Sequence, residues 1–333
     1  MKTRKLRNLE VSAIGLGCMG FTHAYGDQPE EKEGIRLVHK AFELGCNFFD
    51  TAEMYSYFKN EEFVGKALKE LPRDKVVISD KFWPSPLPGQ YFPEGKLSES
   101  GIRKDLEGSL KRLQTDYIDI YTEHQMEEGS EEEVAYIMGK LIQEGKIRAW
   151  GQSSPTAEQI RKAHAVTPIT AVQSEYSLME RKWEKDVLPL CKELNIGYVA
   201  FSPMANGFLS GKIQAGTSYA NTDIRSVITR FADENILANQ PVINLLQKTA
   251  QEKGCTPAQL TLAWDMYIYD SLVPIPGMRN ENRIRENLGA ADIELTPAEY
   301  AAITTELDKL KIYGSRDGKD IKKLGTVPTD VNK

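Results

Sequence analysis

Short apolar runs and helix-like segments alternate along almost the whole chain, and that rhythm limits the fold more than any single residue does. β-Branched or aromatic runs fill residues 13–17, 47–50, 76–79, 117–121, 147–151, 170–173, 197–200 and 272–275. Helical patterns fill 30–44, 98–113, 131–144, 156–165, 185–194, 240–253, 257–268 and 280–290. In 30–44, Ile35, Val38, Ala41 and Phe42 share one face and Gly45 is the stop. In 98–113, Ser98 is the N-cap, and Ile102, Leu106, Leu110 and Leu113 recur at helical spacing. Eight such units with no linker inside predict an α/β protein built as a single (β/α)8 TIM barrel. The alternative is a doubly wound open sheet. A hairpin over residues 1–14, around Arg7-Asn8-Leu9-Glu10, precedes the barrel, and 1–333 reads as one domain. The stretch 314–333 is polar and lysine-rich and is expected to be partly mobile.

Two inserts break the rhythm. Residues 82–96 carry Pro84, Pro86, Pro88 and Pro93 with Trp83, Tyr91 and Phe92, and residues 207–239 are long and polar, with Arg225, Arg230 and Phe231. Each follows a strand end, where a loop can cover a catalytic mouth. With 333 residues the chain can bury a large core. A net charge of −6 argues against nucleic acid and anionic membranes as partners. No apolar run approaches a membrane span, and no signal core follows the basic start, so a cytoplasmic location is expected. Cys18, Cys46, Cys191 and Cys255 are far apart and read as reduced thiols. His23, His39, His124 and His164 show no metal-ligand spacing, so no metal site is expected. Oligomeric state is not legible.

Three early strands deliver reactive side chains at their C-terminal ends, the end of a barrel where chemistry is done. Asn47-Phe48-Phe49-Asp50 ends in an acid, with Tyr55 five residues on; the next run leads to Lys81, and the next to His124. A phenol titrates near 10, too high for an efficient proton donor at neutral pH. A neighbouring Lys81 ammonium is expected to lower it, and Asp50 to hold that ammonium charged. His124 would then orient a carbonyl oxygen. This set delivers a proton but has no electron donor, so it requires a nicotinamide.

Gly15-Leu16-Gly17-Cys18-Met19-Gly20 fits the dinucleotide motif G-x-G-x-x-G. That motif needs a helix opening at its third glycine and an acidic residue about 20 positions on. A helical pattern begins only near Glu30, and Asp50 is too far away, so the glycines are read as a loop that something approaches closely.

Asp50-Thr51-Ala52-Glu53-Met54-Tyr55 resembles the D-T-A-x-x-Y motif of the aldo-keto reductase superfamily, and Lys81 and His124 fall at its catalytic lysine and histidine. The resemblance runs from the hairpin to about residue 310. It implies a barrel with two extra helices that reduces aldehydes and ketones with NADP(H) held outside any Rossmann domain. It further implies that Ser153, Ser154 and Gln173 hold the carboxamide and that Phe201-Ser202-Pro203-Met204 supplies a stacking ring. Lys212 would approach the pyrophosphate. Cys18, Met19 and Asp50 would also touch the cofactor. Gly277, Arg279, Arg283, Glu286 and Asn287 would clamp the adenosine, with Arg283 on a 2′-phosphate. Ser154 stands where Asn is usual, Phe201 where Tyr is, and Gln125 where many similar members have Arg. Tyr25, Tyr57, Phe82, Trp83 and Met126, with Phe21 and Phe58, are expected to form an aromatic, mostly uncharged substrate rim. Two rival readings are a Schiff-base lyase using Lys81 and a cofactor-sensing subunit of an ion channel.

Overall fold

A two-stranded antiparallel hairpin, β1 (Thr3–Leu6) and β2 (Leu9–Ser12), precedes eight parallel strands. These are β3 (Leu16–Gly17), β4 (Phe48–Asp50), β5 (Val77–Phe82), β6 (Ile118–Glu123), β7 (Ile147–Ser153), β8 (Ala171–Glu175), β9 (Gly197–Phe201) and β10 (Leu272–Pro274). They pair in sequence order, and the Gly15 and Gly17 N–H groups donate to Pro274 O (3.0 Å) and Pro276 O (3.2 Å), joining the first strand to the last. The sheet therefore curls into the expected (β/α)8 barrel. The computed structural model describes residues 1–316, so of the tail expected at 314–333, positions 317–333 lie outside the described residues.

The helices are α1 (Glu31–Glu43), α2 (Lys59–Leu68), α3 (Glu99–Leu113), α4 (Glu131–Gln143), α5 (Ala157–Val166), α6 (Val187–Glu193), α7 (Asp233–Ala238), α8 (Gln240–Lys253), α9 (Pro257–Tyr267), α10 (Glu281–Gly289) and α11 (Pro297–Asp308). Ser98 caps α3 as expected. Thr156, Thr256 and Thr296 each close a capping box with a Gln or Glu three residues later. The extra helices α8 and α11 pack on each other outside the strand–helix repeat. The sequence reading missed α2, α7 and α11. In α2 the buried polar residues Asn60 and Glu61 and the helix-weakening Gly65 blur the apolar stripe. Among the described residues no helix is long and apolar enough to cross a membrane.

Strand parity sorts the side chains into two worlds. One set, Phe48, Val77, Ile120, Ala149, Ala171, Val199 and Val273, forms an apolar plug inside the barrel with Leu6 and Val11 of the hairpin. Two residues further along the same strands, the same parity presents Asp50, Ser79, Thr122, Gly151 and Gln173. The bottom of the lumen is thus dry and its top polar. The opposite parity faces the helix layer, where Phe49, Ile78, Tyr121, Trp150, Val172 and Tyr198 are buried.

The glycine-rich stretch has a structural cause. A Cβ on Gly17 would sit 2.7 Å from Ile275 O, and one on Gly15 would sit 2.6 Å from the Phe48 ring. What approaches the backbone is the Phe48 ring of β4 at Gly15 and Ile275, just past the last strand, at Gly17. Only a short 3-10 turn, Met19–Phe21, follows, and α1 starts at Glu31.

Candidate active site

Asp50 is the last residue of β4, Lys81 lies near the end of β5, and His124 directly follows β6. Tyr55 sits in the turn after β4, which runs into three consecutive left-handed residues, Ser56, Tyr57 and Phe58 (φ 50°, 45° and 74°). That conformation is costly for residues with a Cβ and marks a turn held by its surroundings. Asn60 helps to hold it. Its side chain accepts from Thr51 Oγ1 (2.7 Å) and donates to Cys18 O (3.0 Å) and Thr22 Oγ1 (2.7 Å).

Lys81 is fully buried and donates to Asp50 Oδ1 (2.6 Å), Thr51 O (2.6 Å) and the Tyr55 hydroxyl oxygen (3.2 Å). Its three N–H donors are used, and the Tyr55 proton is left to be donated elsewhere. The second Asp50 oxygen accepts from Ser79 Oγ (2.9 Å) and Gln173 Nε2 (2.8 Å). Gln173, which the resemblance assigns to a carboxamide, is therefore bonded to the acid of the tetrad. Tyr55 lies between two imidazoles. His23 stacks on it at 5.9 Å, and His124 meets it edge-on at 5.7 Å. His23 and Ser79 are site residues that sequence reasoning missed. Only Ser79's parity with Lys81 on one strand signalled it.

The charges set the protonation states. Burial alone would lower the Lys81 ammonium, but Asp50 and Tyr55 outweigh it and hold the group above its ordinary value. The Tyr55 phenol goes the opposite way to the expectation. Burial pushes it up, and Lys81 offsets that without reversing it. The phenol is thus firmly protonated, and the ammonium is placed to stabilise charge as it develops. Burial, then the Lys81 charge, holds His124 well below the ordinary imidazole value, and burial pushes His23 down to about 4. Both rings are neutral at pH 7. Behind this site burial, then Asp105, raises the Glu53 carboxyl, and the Lys96 ammonium 2.7 Å away pulls it back toward the ionised form.

A cavity of about 690 Å³ opens from Tyr55 and His124 and runs along the strand ends to α10. Met19, Ser153, Ser154, Gln173 and Gln125 form its wall near the tetrad, followed by Phe201, Ser202, Pro203 and Met204. Its far end has Lys212, Gly277, Arg279, Arg283, Glu286 and Asn287. There Asn280 caps α10 by accepting from the Arg283 N–H (2.9 Å), so the positive end of that helix stands at this end of the cavity. Arg279 donates to the carbonyls of Tyr25 (3.0 Å) and Asp27 (2.7 Å). Burial, followed by the like charges of Arg225 and Arg283, lowers its guanidinium. Cations crowded at a helix N-terminus are surroundings that favour an anion.

Not every expected residue reaches the cavity. Cys18 is fully buried, with its thiol beside Leu16 O (3.6 Å). Phe82 has the parity opposite to Lys81 and packs on Tyr121 in the helix layer, so it is core rather than rim. Phe21 stacks on Phe63, and Phe58 lies under Arg112. Tyr57 is not in the wall among the described residues. Trp83 touches the site indirectly, edge-on to His124 at 5.2 Å. Tyr25 and Met126 do line the cavity; the Tyr25 hydroxyl accepts from Asn206 Nδ2 (2.8 Å). Arg316, within the stretch expected to be mobile, reaches in as well. It donates to Ser202 Oγ (3.0 Å), lies 3.5 Å from Glu175 and sits 4.7 Å from the Phe201 ring centre. Arg316 thus adds a cation to the wall beside Phe201 that the expected substrate rim did not include.

The chain and its fold have counterparts among known proteins. A protein of Glycine max called "Probable aldo-keto reductase 1" is 39% identical over 313 residues, covering 93% of this chain and 89% of that one. The solved glycerol dehydrogenase of Gluconobacter oxydans superposes with a TM-score of 0.84 at 27% identity, covering 93% of this chain and 96% of that one. An aldo/keto reductase of Klebsiella pneumoniae solved with NADP and acetate gives 0.71 at 27% identity, covering 94% and 100%. Residues 13–308 match the aldo/keto reductase family as a whole. With its barrel, its Asp50–Tyr55–Lys81–His124 cluster and this match over nearly all its length, the chain belongs to the aldo/keto reductase family.

Proposed function

We propose that the protein reduces small aldehydes and ketones to alcohols with NADPH. The observation that carries this reading is the Tyr55 hydroxyl, which accepts from Lys81 at 3.2 Å while lining the same cavity as Arg279 and Arg283. The Klebsiella proteins solved with NADP and with NADPH support the cofactor. The residues present fit it. A cavity joins a proton donor to an anion site, and a 2′-phosphate would relieve the repulsion among Arg225, Arg279 and Arg283. NADPH, when bound, supplies the hydride that no side chain here can.

The chain's own residues do the rest. Tyr55 gives its proton to the carbonyl oxygen as that oxygen becomes an alkoxide. Lys81 stabilises the phenolate left behind, and Asp50, fixed by Ser79 and Gln173, keeps the ammonium in place. Neutral His124 offers a hydrogen bond that orients the carbonyl. Ser153, Ser154 and Phe201 bound the nicotinamide end of the cavity, and Arg283 and Asn287 the adenosine end. The proposed partner is a small carbonyl compound and the proposed setting the cytoplasm.

A positioned general acid is worth about 10²–10⁴ in rate. Tyr55→Phe should therefore lose at least about 10²-fold in kcat and keep its NADPH affinity, measured by NADPH oxidation and fluorescence titration. Retained turnover would sink the assignment. Arg283→Ala should weaken NADPH far more than NADH, and equal weakening would remove its phosphate role.

A further inference from the structure

Glu53 is fully buried two residues before Tyr55, and the proton-delivery chemistry makes no use of it. Its N–H donates to Lys81 O (3.1 Å), tying its backbone to the strand end that carries the ammonium. Its carboxylate serves a different part of the chain. Oε1 accepts from the Trp83 N–H (2.6 Å) and from Lys96 Nζ (2.7 Å), and Oε2 accepts from Gln90 Nε2 (3.2 Å). These donors stand at the start, middle and end of residues 83–96, which contain no strand or helix. Asp105 on α3 completes the network through Lys96 (3.0 Å) and Gln90 (2.8 Å).

A buried carboxylate persists only where its lone pairs are filled. Here one irregular segment fills them. Ordering such a segment costs conformational entropy at every residue, and it has no sheet ladder to offset that cost. Its contact with the site is the Trp83 indole, which stands edge-on to His124 at 5.2 Å and 82°. His124 in turn meets the Tyr55 ring edge-on at 86°. One carboxylate thus links the turn that carries the phenol to the segment that braces the imidazole.

We propose that Glu53 is a positioning residue for the carbonyl site: it fixes residues 83–96 so that Trp83 holds His124 in register with Tyr55. The proposal rests on the reductase reading, and its effect belongs in substrate binding rather than cofactor binding. With the full chain, NADPH and 4-nitrobenzaldehyde as the probe, Glu53→Gln should raise KM about tenfold, an ordinary coupling between contacting residues. Its kcat should change less and its NADPH affinity not at all. In a Trp83→Ala background the same substitution should add nothing. Amide hydrogen exchange should quicken across 83–96 and stay unchanged across α8 and α11. Lys96→Met, which leaves the carboxylate in place, should loosen the same segment.

Additive losses with Trp83→Ala, a kinetically silent Glu53→Gln, or quickened exchange spread over the whole barrel would each overturn the role. A silent Glu53→Gln in an active enzyme leaves the reductase reading standing. If the wild-type chain turns over no carbonyl, it is the reductase reading that fails. The exchange pattern then decides alone whether Glu53 holds the segment.

Discussion

Burial and charge act on Tyr55 in opposite directions, and the balance sets the pH behaviour. The buried phenol is held above its ordinary value even beside Lys81, so the acid is in its working, protonated form through neutral pH. His124 is held well below its own ordinary value, so it does not titrate there. Turnover should therefore be flat between about pH 6 and 9 and fall only on the alkaline side, where the phenol loses its proton. A limb near 6.5 in the pH profile of kcat would show an imidazole titrating and contradict this. Lys81→Met removes the one group that eases the phenolate and should cut kcat by about 10²-fold or more in the same assay. The four residues proposed to act were legible because strand ends advertise them, and the structure brings them together. Their supports were not. Gln173 reaches Asp50 across 123 positions, and no local pattern announces such a partner. The sign of the Tyr55 shift was misread for a related reason, since a sequence shows a neighbouring cation but not the depth of burial.

Elements carry a different kind of cost. Asp265 on α9 is fully buried, and neither of its carboxylate oxygens has a hydrogen-bond partner among the described residues. Burial raises its carboxyl well above the ordinary carboxylate range. The folded chain therefore keeps a proton that the unfolded chain releases near pH 4, and stability contributed by that proton is lost as pH rises toward the folded value. Asp265→Asn should remove this slope and be the more stable form at pH 8, measured by urea unfolding at pH 5 and pH 8. An unchanged slope would show that the carboxyl is already ionised. Just past β7, Ser154 has φ 57°, in the left-handed region that Asn adopts more readily. Ser154→Asn should therefore be tolerated with an unchanged or higher Tm, and a large drop would mean the conformation is not what holds that turn. Helices with clean apolar stripes, α1 and α3, were legible. The stripe of α2 was not, because Asn60 and Glu61 face inward to hold the Tyr55 turn and Arg112.

The whole molecule depends on where the sheet meets itself. Gly17 allows β3 to lie against Ile275, and a methyl group there would stand 2.7 Å from a backbone oxygen that cannot move aside. Gly17→Ala should cost about 1–3 kcal/mol, as overpacking does, read as a lower urea midpoint with unchanged slope. The barrel itself was legible in the count of strand–helix units, but the hydrogen bonds that close it were not, since they join residues about 260 positions apart. The two ends of the lumen also differ in what a support or fusion partner would meet. Leu6 and Val11 seal one end, with Lys5 exposed beside them, whereas Arg316 lies against Phe201 and Ser202 at the other. A protein coupled to a surface through Lys5 would present its cavity to the surrounding solution. Coupling near Tyr313 would turn the same cavity toward the support and starve it of substrate by diffusion alone.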